Sequence, residues 1–151
     1  MQLKSLKDTQ NLSENISKII KPGDIIFLYG EIGVGKTTFV RFFVNHLENK
    51  NGIKNSEVLS PTFNIVYDYD IKKTKILHYD LYRLKNNKDI SQLGMFENSN
   101  KDIKIVEWPE LIELKPKDRI DIKFKYSKKI DSREVKITGF GKWKDFKFNE
   151  I

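Results

Sequence analysis

Ile25-Ile26-Phe27-Leu28-Tyr29-Gly30-Glu31-Ile32-Gly33-Val34-Gly35-Lys36-Thr37 is the stretch from which the rest of the chain is read. Its first five residues are an unbroken apolar run of strand length, as in a strand covered on both faces. The next eight match G-x-x-x-x-G-K-[ST]. Behind them, residues 37–48 carry Phe39, Val40, Phe42, Phe43, Val44 and Leu47 almost all round, which predicts a mostly buried helix. Strand, glycine loop and buried helix in that order are what give the motif its chemistry. The glycines let successive N–H groups turn inward to form an anion nest, and the positive end of the helix dipole adds to it. Gly33, Val34, Gly35, Lys36, Thr37 and Thr38 are therefore the expected nucleotide-binding residues. Lys36 can reach the β- and γ-phosphates, and the Thr37 hydroxyl can ligate Mg²⁺. The bland alternative is a Gly-rich turn with a surface lysine, which the matched flanks disfavour.

Upstream, Leu12, Ile16, Ile19 and Ile20 share one stripe, which predicts a short amphipathic helix over 9–20 before the turn Lys21-Pro22-Gly23-Asp24. Downstream, 63–70 and 74–82 read as a hairpin joined by Ile71-Lys72-Lys73. Residues 86–100 read as a short helix or two with loops, and 103–106 as a strand. Pro109 suits the first turn of a short helix over 109–113. Residues 119–126 and 133–140 alternate apolar with charged side chains, the pattern of an antiparallel pair with one wet face. No repeat or low-complexity linker interrupts the chain, so residues 1–151 read as one domain.

A Mg²⁺-nucleotide site needs carboxylates at the ends of neighbouring strands. Ile76-Leu77-His78-Tyr79-Asp80 ends in one, and Ile103-Lys104-Ile105-Val106-Glu107 ends in another. Ligands of parallel α/β sheets sit beyond the carboxyl ends of strands, so both acids can lie beside the phosphates. One would hold the metal and the other would orient or deprotonate water; the alternative for each is a solvated acid or helix cap. Asp68 and Asp70 alternate on a strand and are expected in solvent. Ser60-Pro61-Thr62-Phe63 precedes the hairpin and can serve as a switch loop through a Thr hydroxyl, although residue physics alone favours a Pro-fixed turn. His78 is expected to be a satisfied, partly buried imidazole, His46 a surface or cap residue, and Trp108 a core residue rather than a cover over the site.

The 151 residues are 38% hydrophobic and 32% charged, and ten Phe, six Tyr and two Trp argue against disorder. No run of 18 apolar residues exists, so no membrane span is expected. Met1-Gln2-Leu3-Lys4 lacks an apolar signal-peptide core, and the expected compartment is the cytoplasm. The absence of cysteine excludes a disulfide scaffold, a zinc finger, an iron–sulfur cluster and a Cys nucleophile. Two histidines, His46 and His78, exclude a multi-His metal site. The net charge of +7 has an address: Lys115 to Lys147 holds twelve Lys/Arg against five acids, and the remainder is neutral. A basic end suggests an anionic partner, against the plainer reading of lysines decorating solvent faces.

GEIGVGKTTF at 30–39, SPTF at 60–63, HYDLYRL at 78–84 and VEWPE at 106–110 follow one another in that order. Together they resemble the TsaE (YjeE) family of small bacterial ATPases of tRNA threonylcarbamoyladenosine biosynthesis. The resemblance covers about residues 3–140. It implies an α/β, P-loop NTPase-like three-layer domain whose central sheet mixes parallel and antiparallel strands. It implies ATP and Mg²⁺ as cofactors, with Lys36 and Thr37 on phosphate and metal, Glu107 as second metal ligand and Asp80 as the acid required for hydrolysis. Thr62 would sit in a switch-like loop, and Thr9 and Arg133 correspond to the family's adenine pocket. The implied partners are TsaD and TsaB, with tRNA met through that complex or on the basic C-terminal surface. Hydrolysis would be slow without those partners.

Two other classes of function compete. A small P-loop kinase usually needs a lid supplying several Arg to the transferring phosphate, and only Arg41, Arg83, Arg119 and Arg133 are present. A nucleic-acid-binding module is favoured by the basic end but lacks an RNP-like aromatic motif or a recognisable helix-turn-helix.

Overall fold

The apolar run Ile25–Tyr29 is the middle strand of a seven-stranded sheet. In the computed structural model, which describes residues 1–97, 101–129 and 131–150, the elements run Gln2–Leu3 (β1), Leu6–Ile19 (α1), Ile25–Tyr29 (β2), Lys36–Lys50 (α2), Val66–Ile71 (β3), Thr74–Asp80 (β4), Asn87–Ser91 (α3), Ile103–Glu107 (β5), Arg119–Tyr126 (β6) and Arg133–Phe140 (β7). Short 3₁₀ turns follow at Pro109–Leu111, Gly141–Trp143 and Phe148–Glu150. The sheet order is β1-β7-β6-β2-β5-β4-β3. β6, β2, β5 and β4 are mutually parallel, while β3, β7 and β1 pair antiparallel at the two margins. The expected mixed sheet is therefore present, its parallel part being the part most deeply covered.

Two layers cover the sheet. On one face α1 and α2 bring Leu12, Ile16, Phe39, Phe43 and Val44 onto Ile26, Leu28, Ile105, Ile120 and Ile122. The Ser13 hydroxyl donates to the Phe39 carbonyl (2.7 Å), which lets the helices approach closely without stranding a polar group. On the other face Phe27, Tyr79 and Val106 meet Leu81, Ile90, Met95 and Ile112 from the segments after β4 and β5. Opposite burial of Ile26/Leu28 and Phe27 explains why β2 shows no alternation. Among the described residues no helix is long and apolar enough to cross a membrane.

Differences from the sequence reading are local. α1 starts three residues early, because Ser5 caps it by accepting from the Asp8 N–H. β1 was not anticipated, being two residues long and held by Gln2↔Glu134 and Leu3↔Arg133. Residues 63–65 are a turn rather than strand, with Ile65 at φ 68°. The helix expected over 109–113 is a 3₁₀ turn. Residues 98–100, the end of the expected 86–100 segment, lie outside the described residues.

The tail after β7 is fixed by ring packing. Trp143 is buried against Phe146 and Phe148, with centroids 5.6 and 6.4 Å away. The Lys142 ammonium reaches the buried Asp24 carboxylate at 2.5 Å. This close return is possible because residue 139 is glycine: a Cβ there would stand 2.0 Å from the Trp143 carbonyl oxygen. Gly139→Ala is expected to lower unfolding free energy by about 1–3 kcal/mol, the usual cost of overpacking, and to red-shift tryptophan emission as Trp143 lifts. Unchanged urea denaturation would refute this account of the tail.

Candidate functional site

Gly30 begins the loop because nothing larger fits. Its φ is 136°, and a Cβ would lie 2.5 Å from the Phe124 carbonyl oxygen on β6. The chain then curls through Gly33 and Gly35 into α2, whose first residue, Lys36, turns back over the loop. The Lys36 Nζ donates to the carbonyls of Gly30 (2.6 Å) and Glu31 (3.0 Å) and stands 3.9 Å from the centre of the Trp108 ring. Lys36 is 4% exposed. Burial lowers its pKa below the ordinary lysine value, while the carboxylates of Glu107, Asp80 and Glu110 act in the opposite direction. Trp108 is half-buried against the core cluster of that sheet face, as expected, and its ring also covers this ammonium. It sits in the left-handed region at φ 58°, its ring centroid 4.9 Å from that of Tyr82 and tilted by 48°.

The two acids lie side by side. β4 and β5 pair in the register Asp80↔Glu107, and β5 and β2 in the register Leu28↔Glu107. Both carboxylates thus emerge at the end of the sheet where the glycine loop begins. The Thr37 Oγ1 donates to Glu107 Oε1 at 2.8 Å, and the His78 Nε2 lies 2.9 Å from the same oxygen. Because a carboxylate oxygen only accepts, the proton of this contact belongs to the histidine Nε2. His78 is wholly buried, more so than its sequence context suggested, and its Nδ1 has no hydrogen-bond partner among the described residues. It holds Glu107 rather than facing solvent.

Asp80 is held differently. Its Oδ2 accepts from the hydroxyls of Ser60 (2.7 Å) and Thr62 (2.8 Å), and its Oδ1 from the Tyr82 N–H (2.9 Å). The 60–63 segment is thus more than a Pro-fixed turn, since both its hydroxyls tether it to the β4 acid. Phe63, at its tip, is 82% exposed. Asp68 and Asp70 face solvent beside Lys75, as expected. His46 is half-buried and lies 4.0 Å from Glu14.

Thr9 and Arg133 are brought to the loop from opposite ends of the chain. They line a cleft of about 400 Å³ together with Leu3, Gly33, Val34 and Thr38. The Arg133 Nε donates to the Val34 carbonyl (3.1 Å), and its guanidinium stacks 4.7 Å from the Tyr126 ring. Tyr126 in turn donates to the Ile32 carbonyl at 2.7 Å. Sequence reasoning missed Tyr126, whose only signal was its place at the last position of an alternating strand. It named Ser60 only as part of the 60–63 loop and missed its bond to Asp80, twenty residues away.

The family model of the threonylcarbamoyl adenosine biosynthesis protein TsaE matches residues 3–135. The chain belongs to the TsaE family. The Rickettsia prowazekii tRNA threonylcarbamoyladenosine biosynthesis protein TsaE is 39% identical to this TsaE-family chain over 111 residues, covering 74% of each protein. The Bacillus subtilis protein of that name is 34% identical over 137 residues, covering 89% of this chain and 82% of the relative. The crystal structure of YdiB from Bacillus subtilis superposes with a TM-score of 0.74 at 27% identity, covering 99% of this chain and 90% of that one. The P-loop α/β architecture of this TsaE-family chain thus has a solved counterpart over nearly its full length.

The buried Thr37–Glu107–His78 chain makes a definite stability prediction. His78→Phe keeps a ring of similar size but removes the donor, leaving Glu107, itself 2% exposed, short of one hydrogen bond. A loss of about 1–3 kcal/mol in urea unfolding is expected. A variant as stable as the parent would mean that Glu107 does not depend on His78.

Proposed function

We propose that this chain binds Mg-ATP and hydrolyses it to ADP and phosphate, in support of the complex that makes threonylcarbamoyladenosine in tRNA. The observation that carries the reading is the 2.8 Å contact between the Thr37 hydroxyl and Glu107 at the mouth of the glycine loop. A hydroxyl and a carboxylate side by side are hard oxygen donors suited to Mg²⁺ with phosphate and water completing the shell. When bound, the metal would supply charge neutralisation to the β- and γ-phosphates.

The chain's own groups divide the work. The loop N–H groups and the N-terminus of α2 receive the phosphates. Lys36, whose donors now rest on the Gly30 and Glu31 carbonyls, exchanges them for phosphate oxygen as negative charge develops. Glu107, oriented by His78, would hold the metal together with Thr37. Asp80, beside it in the sheet, orients the attacking water and accepts its proton. Thr9 and Arg133 flank the base in the cleft beside Val34. Trp108 and Tyr82 keep water from the lysine side.

Each arginine already has an occupation, which speaks against a kinase lid. Arg41 and Arg133 donate to backbone carbonyls, Arg83 lies 4.9 Å from the Phe63 ring, and Arg119 pairs with Asp121. A site with no spare arginine for the leaving phosphate is a slow one until a partner supplies charge or orders the loop. TsaB and TsaD are the partners proposed here, and the apolar residues around the loop, Ile32, Leu59, Phe63 and Tyr82, are exposed where such a partner would dock.

Phosphate release from Mg-ATP, measured with and without a TsaB–TsaD complex, tests the whole reading. Lys36→Ala is expected to lower turnover at least about 100-fold, in the range of lost transition-state donors, with a native thermal melt. Asp80→Asn should spare nucleotide binding and abolish hydrolysis, whereas Glu107→Gln should weaken binding only when Mg²⁺ is present. Turnover by the lysine variant equal to that of the parent would overturn the proposal. No response to TsaB–TsaD would overturn the partner assignment alone.

A further inference from the structure

The second face of the sheet is covered unevenly. The segments after β4 and β5 pack over β2, β5 and β4, and the apolar cluster they build contains no residue of β6, β7 or β1. The outer face of the β6–β7 pair is open, and it is basic. Ile120, Ile122 and Phe124 point to the helices, so Lys123 and Lys125 point the other way, beside Lys136 from β7; all three are exposed. The pairing register sets Lys123 directly opposite Lys136. Like charges directly opposite on one face destabilise a strand pair. Among the described residues, none of these three ammoniums has a carboxylate within ion-pair distance, although Glu134 stands opposite Lys125. Asp121, the other acid of this face, is taken by Arg119 at 3.0 Å. The face is concave, a groove of about 610 Å³ that Gln2 and Thr138 also line.

We propose that this groove binds the phosphodiester backbone of RNA. Two observations favour a nucleic acid over an acidic protein. A protein interface is built on a desolvated apolar centre, and among the described residues this groove offers no large exposed apolar side chain but Met1 at its end. The other exposed apolar side chains, among them Ile32, Leu59, Phe63, Leu6 and Leu114, do not line this groove. Lysines two residues apart on one strand, with a third across the ladder, spring from Cβ positions about 5–7 Å apart, a spacing from which their ammoniums can reach adjacent phosphates. Lysines in this arrangement bind the backbone without reading sequence. The cross-strand repulsion of Lys123 and Lys136 is relieved when an anion lies between them. The groove is separate from the glycine loop, so RNA binding here does not rest on the ATPase reading.

The test is fluorescence anisotropy of a short labelled single-stranded RNA with the intact protein, titrated across salt concentrations. The triple variant Lys123→Ala, Lys125→Ala, Lys136→Ala is compared with a control of equal charge loss on the helical face, Lys7→Ala, Lys18→Ala, Lys50→Ala. Native melts and unchanged nucleotide binding show that both variants remain folded. The groove variant should lose at least about 10-fold in affinity at low salt. Its salt slope should fall by about 2, at roughly 0.7 for each phosphate that a lysine no longer neutralises. The helical-face control should stay within about 2-fold of the parent. Absence of RNA binding at low salt, equal losses in both variants, or competition by polyglutamate as strong as by unlabelled RNA would each overturn the proposal.

Discussion

The parallel register of β2, β5 and β4 is the constraint on which the candidate site depends. Leu28, Glu107 and Asp80 stand level across three neighbouring strands, so two acids and the root of the glycine loop share one end of the sheet. Backbone bonds hold the strands level beyond their last paired residues: the Trp108 N–H donates to the Leu28 carbonyl, and the Leu81 N–H to the Glu107 carbonyl. A slip of one residue would send either acid to the opposite face of the sheet, away from Thr37. Register is well determined here because both faces of these strands are buried, and a slip would exchange the two sets of packed side chains.

Placing two carboxylates at 2–3% exposure beside a buried ammonium is unfavourable unless each is well bonded. The structure answers with dense hydrogen bonding. Glu107 receives Thr37 and His78, and Asp80 receives Ser60, Thr62 and the Tyr82 N–H. Among the described residues, the Nδ1 of His78 is the atom of this cluster left without a hydrogen-bond partner. A buried polar cluster of this kind rigidifies the place where it is complete and destabilises the fold where one member is lost.

Much of this was legible because it rests on local pattern. The β2 run, the glycine loop and the apolar α2 are short-range signals, and each agrees with the others. β6 and β7 matched the alternating segments at both ends, since a half-wet strand shows its face in its period. Asp80 and Glu107 were found by their place at the ends of apolar runs. What could not be read depends on residues far apart in sequence. β1 is held by β7 across more than a hundred residues, Trp108 by the lysine it covers, and the tail by a glycine and three rings with no periodicity. The sequence marks His78 as a satisfied, partly buried imidazole but does not name its partner, because Glu107 lies on another strand.

The two acids differ in what holds them, and that difference bears on how the site can work. Glu107 is tied to α2 through Thr37 and to the sheet interior through His78, both parts of the packed body of the fold. Asp80 is tied to Ser60 and Thr62, on a loop whose tip exposes Phe63 and Leu59. Anything that moves the loop withdraws two of the three donors from Asp80 and leaves Glu107 untouched. Under the proposed reading, metal binding is then a fixed property of the fold, whereas the group that serves the water is set by loop position. A partner that grips the exposed Phe63 and Leu59 would act on hydrolysis while leaving nucleotide affinity nearly constant, because its leverage ends at the hydroxyls on Asp80. On that reading the chain would hold its nucleotide while waiting and turn it over when docked, with no rearrangement of the sheet.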